Sequence, residues 1–247
     1  PPPPPPLFSR RLRLTRLGRW SRGLGDVYKR QVVLSLLPVV GASIWFFGPS
    51  AVLVFGASIA GCLLTERLFG ERRNSLADGS AMITGLLLGM CLPAGFPLWM
   101  AFLGGVFAIA FGKIIFGGLG QNVFNPALLG RAFLQAAFPV AITTWPVRGS
   151  DWWALAGDNF AVPLMSPGVD AVSTATPLAL MKFQGEGTNL LTMLTGSTGG
   201  CLGETSAGIL IVCGIFLAVR RSFDWRIPVS TVASVALFER RDLRQTG

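Results

Sequence analysis

The sequence predicts an all-α fold, a polytopic helical membrane protein with short or broken helices, on three observations. Hydrophobic residues make up 51% of the 247 positions and charged residues only 13%. At a mean hydropathy of +0.57, a soluble domain of this size cannot keep so much apolar surface from water, so lipid is the expected solvent. Charge is concentrated at the ends: the net +9 comes mostly from residues 1–31, where eight Lys/Arg face one acid, and from 239–247, where three Arg face two acids. Between these ends apolar runs of helical length recur, separated by Gly/Pro turns or short polar stretches. The basic balance thus describes the tails, and a nucleic-acid partner loses its main support.

Residues 1–31 open on six prolines and an Arg/Leu-rich tract ending Tyr28-Lys29-Arg30-Gln31. With no apolar core to bury they read as a disordered, non-native tail resembling translated adapter sequence. They also fail as a signal peptide, because further apolar segments follow rather than a cleavage site and a soluble domain. The membrane domain is expected over 32–238. Its apolar segments are Val32–Phe47, Ser50–Leu64, Ser80–Leu92, Pro97–Gly112, Asn125–Thr144, Thr205–Ala218 and Ile227–Phe238. About 20 residues are needed to cross a bilayer, so several are short. Ser80–Leu92, entered through Asp78-Gly79, reads as a discontinuous helix, tolerated only where it lines a protein interior or cavity. The charged run from Glu239 onward reads as a second non-native tail.

Positive charge alternates between successive loops as the positive-inside rule requires. Arg67, Arg72 and Arg73, then Lys113, then Arg220, Arg221 and Arg226 mark inner ends, whereas Gly48-Pro49 and Pro93–Phe96 carry none. This parity places residues 145–204 outside.

Three glycine-rich patches precede apolar helices: Asp78–Ala81, Gly117–Pro126 and Gly199–Ser206. Each has the composition to aim backbone N–H groups at an anion or cofactor, although breaking helices and packing them closely explains any one patch as well. Glu66, Lys113, Arg131 and Glu204 lie in or beside apolar runs and must face the interior or snorkel to an interface. Snorkelling is the expectation for Lys113. Glu66 and Glu204 are candidates for ion handling, weighed against helix capping and interface solvation. Arg131, a turn or two into its segment, calls for a cofactor phosphate or a carboxylate. Cys62, Cys91, Cys201 and Cys213 lack ligand spacing and the chain has no His, so no metal site is expected. In the outer segment, Asp170 or Ser173 is suited to cap a helix.

Gly117–Phe133, with its string Gly-Gly-Leu-Gly-Gln-Asn-Val-Phe-Asn-Pro-Ala-Leu, the Gly203–Ser206 region and Ser173-Thr174-Ala175-Thr176 together carry a resemblance. Over essentially 32–238 the chain resembles the D subunit of the Rnf complex, the ion-translocating ferredoxin:NAD oxidoreductase. The B subunit of the sodium-translocating NADH:quinone reductase is the near alternative. The resemblance implies an internal inverted repeat, whose second copy this chain enters without completing. It implies FMN esterified through its phosphate to Thr176 by an FAD-dependent flavin transferase. Asp170 is the implied acidic recognition position, with Ser173 and Thr174 in the same motif. Thr174 stands where glycine is common, adding a second hydroxyl. A riboflavin or other second flavin is the further cofactor expected, and the coupled ion is Na⁺ or H⁺.

The expectation is therefore a relay component, not catalytic alone, in a bacterial inner membrane. Its implied partners are the other Rnf subunits, the flavin transferase and lipid, and the Thr176 loop is expected on the periplasmic side. A channel or secondary transporter, motivated by the short helices, and a purely structural membrane protein are the competing classes.

Overall fold

The computed structural model describes residues 31–70, 79–116, 123–146, 157–163, 176–185, 189–196, 199–204, 206–220 and 224–245, with isolated positions 153, 155 and 187. Among these the architecture is helical, as the composition predicts, and no strand is present. Asp170, Ser173 and Thr174 lie outside the described residues. So do most of the N-terminal tail expected to be non-native and the Gly117–Asn122 part of the second patch.

Helix α1, Gln31–Phe47, turns at Gly48 (φ 60°) into α2, Pro49–Phe69. The left-handed glycine allows the reversal, and Pro49, whose missing N–H costs nothing in the first turn, starts the next helix. Helix α2 is long and apolar enough to cross a membrane by length and composition. It extends beyond the expected Leu64 because Thr65, Glu66 and Arg67 are compatible with helix, and the Gly70 N–H closes it on the Glu66 carbonyl. Helix α3, Ser80–Met90, has only 11 residues and is entered through Gly79 at φ 65°. That is the short element expected from the sequence.

Helix α4, Leu98–Ile109, continues as a π-turn over Ala110–Ile114. Helix α5, Pro126–Ala137, is capped by Asn125, whose side chain accepts the Ala127 N–H at 3.0 Å. The expected single segment Asn125–Thr144 is in fact split: Pro139 cannot continue a helix from Ala137, and α6, Pro139–Thr143, begins anew. Helices α7, Pro177–Gln184, and α8, Leu190–Thr195, lie within the span 145–204. Helix α9, Ala207–Val219, matches its expected apolar run. Helix α10, Arg226–Gln245, runs on past Phe238, the expected end of its apolar segment; Glu239, Arg240 and Arg241 are good helix formers.

The core gathers α2, α3, α4 and α5, with Val39 of α1 and Cys213 of α9 at its margins. Glycines set the spacing. A Cβ on Gly85 would lie 2.6 Å from Ile59 Cα, and one on Gly105 would lie 2.5 Å from the Ser58 carbonyl oxygen, so α3 and α4 touch α2 backbone to backbone. Such close approach permits cross-helix polar contacts: Ser58 Oγ donates to the Gly85 carbonyl at 2.8 Å. Phe107 stacks on Phe133 at 4.1 Å, joining α4 to α5.

The span 145–204 contacts this bundle through Asn159, which is 1% exposed. With its amide nitrogen facing the Ala94 and Gly95 carbonyls, it donates at 3.0 and 3.3 Å while its oxygen accepts from Ser50 Oγ at 3.3 Å. These are the polar partners that so buried a side chain requires.

Candidate functional site

Thr176 is the N-cap of α7. Its φ and ψ are extended (−69° and 154°), Pro177 occupies the first helical position, and Thr176 Oγ1 accepts the Ala179 N–H at 3.3 Å. Thr176 thus caps α7; Asp170 and Ser173, which the sequence pattern offers as caps, lie outside the described residues. The residue is half-buried. A phosphoester formed at this oxygen would sit at the start of an eight-residue helix, where the helix dipole favours an anion. The local geometry therefore fits the phosphate of an esterified FMN.

Arg131 extends from the middle of α5 toward two loops. Cys91, just beyond α3, and Cys201 and Glu204 in the loop before α9 lie near enough for their charges to act on it. Glu204 is thus one acidic group of the chain whose charge acts on Arg131. The loop carrying Glu204 is docked on α3: Gly203 N–H donates to the Met90 carbonyl at 2.8 Å and Leu202 N–H to the Leu92 carbonyl at 3.0 Å. Glu204 N–H donates to the Cys201 carbonyl. These three N–H groups of the third glycine patch are thus used within the protein, and a Cβ on Gly203 would lie 3.0 Å from Met90 Cβ. Close packing, rather than anion binding, explains the glycine.

Cys201 is fully buried. Burial first, and the neighbouring Glu204 second, push its thiol up to about 12. It is therefore protonated as well as covered at ordinary pH, and reactivity belongs to the thiolate. Treating the folded chain with iodoacetamide at pH 8 should label half-buried Cys91 ahead of Cys201. Peptide mass spectrometry gives the order, and equal early labelling of Cys201 would contradict this geometry.

A second cluster lies at the other end of α3, where no sequence spacing assembles one. Lys113, in the π-turn, is 5% exposed and Glu66, near the end of α2, is 2% exposed. Lys113 Nζ donates to Glu66 Oε1 and, at 2.7 Å, to Ser80 Oγ at the start of α3. The expectation that Lys113 snorkels is overturned. The π-turn directs Gly112 and Lys113 inward while Phe111 remains exposed. A carboxylate inside the bundle supplies what an interface would otherwise provide. Glu66 likewise serves neither as a helix cap nor as a solvated interface residue.

The sequence profile of the family described as the NQR2, RnfD, RnfE family matches residues 26–241. The D subunit of the proton-translocating ferredoxin:NAD⁺ oxidoreductase complex of Clostridium ljungdahlii is 38% identical over 219 residues, covering 83% of this chain and 61% of that protein. The D subunit of the Na⁺-translocating ferredoxin:NAD⁺ oxidoreductase complex of Acetobacterium woodii is 36% identical, covering 85% and 62%. The D subunit of the ion-translocating oxidoreductase complex of Stutzerimonas stutzeri is 34% identical, covering 83% and 63%. The chain thus spans less than two thirds of the length of these curated relatives.

Proposed function

Because this chain belongs to the NQR2, RnfD, RnfE family, we propose that it is a D-type membrane component of an Rnf-like complex, relaying electrons through FMN on Thr176. The observation carrying this reading is the placement of Thr176 Oγ1 at the head of α7, at the end of Ser173-Thr174-Ala175-Thr176. A D-type assignment, rather than the B subunit of the sodium-translocating NADH:quinone reductase, is supported by the names of the three relatives above.

In this reading Thr176 Oγ1 is the nucleophile. It loses its proton as it bonds to the flavin-side phosphorus of FAD, and AMP leaves. When bound, the flavin supplies one- or two-electron transfer. The start of α7 holds the phosphate, and Pro177 fixes the backbone through which the cofactor is anchored. Asp170, Ser173 and Thr174 form the recognition segment for the transferase. Other subunits of the complex exchange the electrons, and ion movement, of Na⁺ or H⁺, runs through the helical bundle. A second flavin, such as riboflavin, belongs to the same proposal. Charge parity supports a multi-pass arrangement in a bacterial inner membrane with Thr176 outside.

The test is in-gel flavin fluorescence of the chain coexpressed with an FAD-dependent flavin transferase. The wild type and Thr174→Ala should fluoresce, and Thr176→Ala should lose the signal entirely. Thr176→Ser retains both the cap and a hydroxyl, so it separates lost attachment from the ~1 kcal/mol cost of losing the cap. A dark wild type that is inserted in membranes, or a fluorescent Thr176→Ala, would sink the proposal.

A further inference from the structure

We propose that Cys91 and Cys201 are a site of oxidative modification, forming a reversible disulfide that clamps the loop entering α9 onto the end of α3. The geometry begins with backbone. Cys91 stands between Met90 and Leu92, whose carbonyls take the Gly203 and Leu202 N–H groups at 2.8 and 3.0 Å, and Cys201 directly precedes Leu202. The two cysteines are far apart in sequence, yet each adjoins the same pair of bonds. A disulfide needs its two α-carbons within ~7 Å, and the paired peptides flanking Cys91 are what brings Cys201 toward it. Ser43 of α1 holds the loop from another side, its Oγ donating to the Leu202 carbonyl. Both cysteines act electrostatically on Arg131 and on one another.

All four thiols are free in the structure, which is thus the reduced form. Cys62 and Cys213 lie within α2 and α9, where packing accounts for a small apolar side chain. Two thiols meeting across a tertiary contact are a different case, because one bond between them fixes that contact covalently.

Unequal exposure sets the order of events. Cys91 is half-buried, whereas Cys201 is fully covered and held protonated by burial, so the first attack falls to Cys91. The oxidant is a disulfide, either of a small thiol compound or of an oxidised dithiol protein. Cys91 Sγ loses its proton and bonds to one sulfur of that disulfide, and the other sulfur leaves as a thiol. Cys201 Sγ then bonds to Cys91 Sγ, and its proton passes to the second departing thiolate. The chain gives up two electrons and two protons, and the oxidant is reduced to two thiols. Charge parity puts the turn 93–96 and the span 145–204 on the outer side, where bacterial disulfides persist. Only this last point rests on the orientation in the reading above.

The experiment treats the detergent-solubilised full chain, first reduced and then freed of reductant, with dithiobis(nitrobenzoate), an aromatic disulfide whose released thiolate is coloured. The wild type should release two thiolates per chain, keep no reagent bound, and yield a peptide joining Cys91 to Cys201 on mass spectrometry. Cys201→Ser should release one thiolate and retain the other half of the reagent on Cys91. Reducing the cross-linked wild type should lower its thermal midpoint by roughly 5 °C or more, because so long a closed loop constrains the unfolded chain. The proposal is overturned if the wild type keeps the reagent on Cys91, if Cys91 joins a different cysteine or a second chain, or if the midpoint is the same with and without the cross-link. The wild-type peptide map needs no substitution, so it decides the matter even where Cys201→Ser does not fold. No flavin, transferase or membrane orientation enters the test, so its failure leaves the Thr176 assignment intact, and a dark Thr176 leaves this result intact.

Discussion

Glu66→Gln is expected to destabilise the folded chain by about 3–5 kcal/mol, the cost of leaving a buried charge without its partner. The ammonium of Lys113 would retain Ser80 Oγ at 2.7 Å but lose the only carboxylate it is bonded to among the described residues. Gln is nearly isosteric with Glu, so the loss reports charge rather than volume. The double variant Glu66→Gln/Lys113→Met removes both charges and should recover most of the difference, because a neutral, well-packed pair is often as stable as the ion pair it replaces. Denaturant unfolding in detergent, followed by tryptophan fluorescence, gives the comparison. Equal losses in the single and double variants would mean that packing, rather than charge pairing, governs this corner of the bundle.

The second large effect concerns the seam between α2 and α4. Gly61 presses against the Phe102 backbone, and a Cβ there would fall well inside van der Waals contact with the carbonyl oxygen. Backbone, unlike a flexible side-chain tip, cannot move aside. Gly61→Val is therefore expected to force the helices apart at a cost of about 3 kcal/mol or more, the upper range for overpacking. Separation would also strain the Cys62 Sγ contact with the Gly105 carbonyl, now 3.5 Å. Gly56 on the same helix meets only open space, so Gly56→Ala should instead be neutral or stabilise by up to ~1 kcal/mol. Matched midpoints for these two variants would show that the seam does not depend on close approach.

Helix positions are legible in the sequence because apolar runs and their Gly/Pro punctuation are local properties. The ends of α1, α3, α4 with its π-turn, and α9 fall within two residues of the expected segments. Helices α7 and α8 are not among those segments, although Thr176-Pro177 and Asn189 are start signals and Gly185 and Gly196 are stop signals of the usual kind. Their apolar stretches are too brief to stand out in a search for spans.

The Glu66 and Lys113 cluster escapes the sequence for a different reason. The partners are 47 residues apart, and no spacing rule links them. Each has a satisfactory local explanation, capping for one and snorkelling for the other. The usable signal is a carboxylate and an ammonium just past the ends of alternate apolar segments, both on the same expected side. For Arg131, it is the docking of the loop 201–204 against α3, which no local pattern announces, that brings Glu204 near it. Thr176 stands out through resemblance alone, and the cap it makes depends on Pro177 following it directly.

The shortness of α3 has an electrical meaning. Its 11 residues, Ser80–Met90, carry no ionisable side chain and separate the Lys113 cluster from the Arg131 cluster. At ~1.5 Å per residue the helix is roughly 16 Å long, about half the ~30 Å thickness of a bilayer's hydrocarbon. Where water reaches both its ends, the transmembrane voltage falls across this thinner dielectric, and the local field is about twice that in the surrounding lipid. A charge travelling only the length of α3 would then traverse nearly the whole potential, worth about 2.3 kcal/mol per 100 mV.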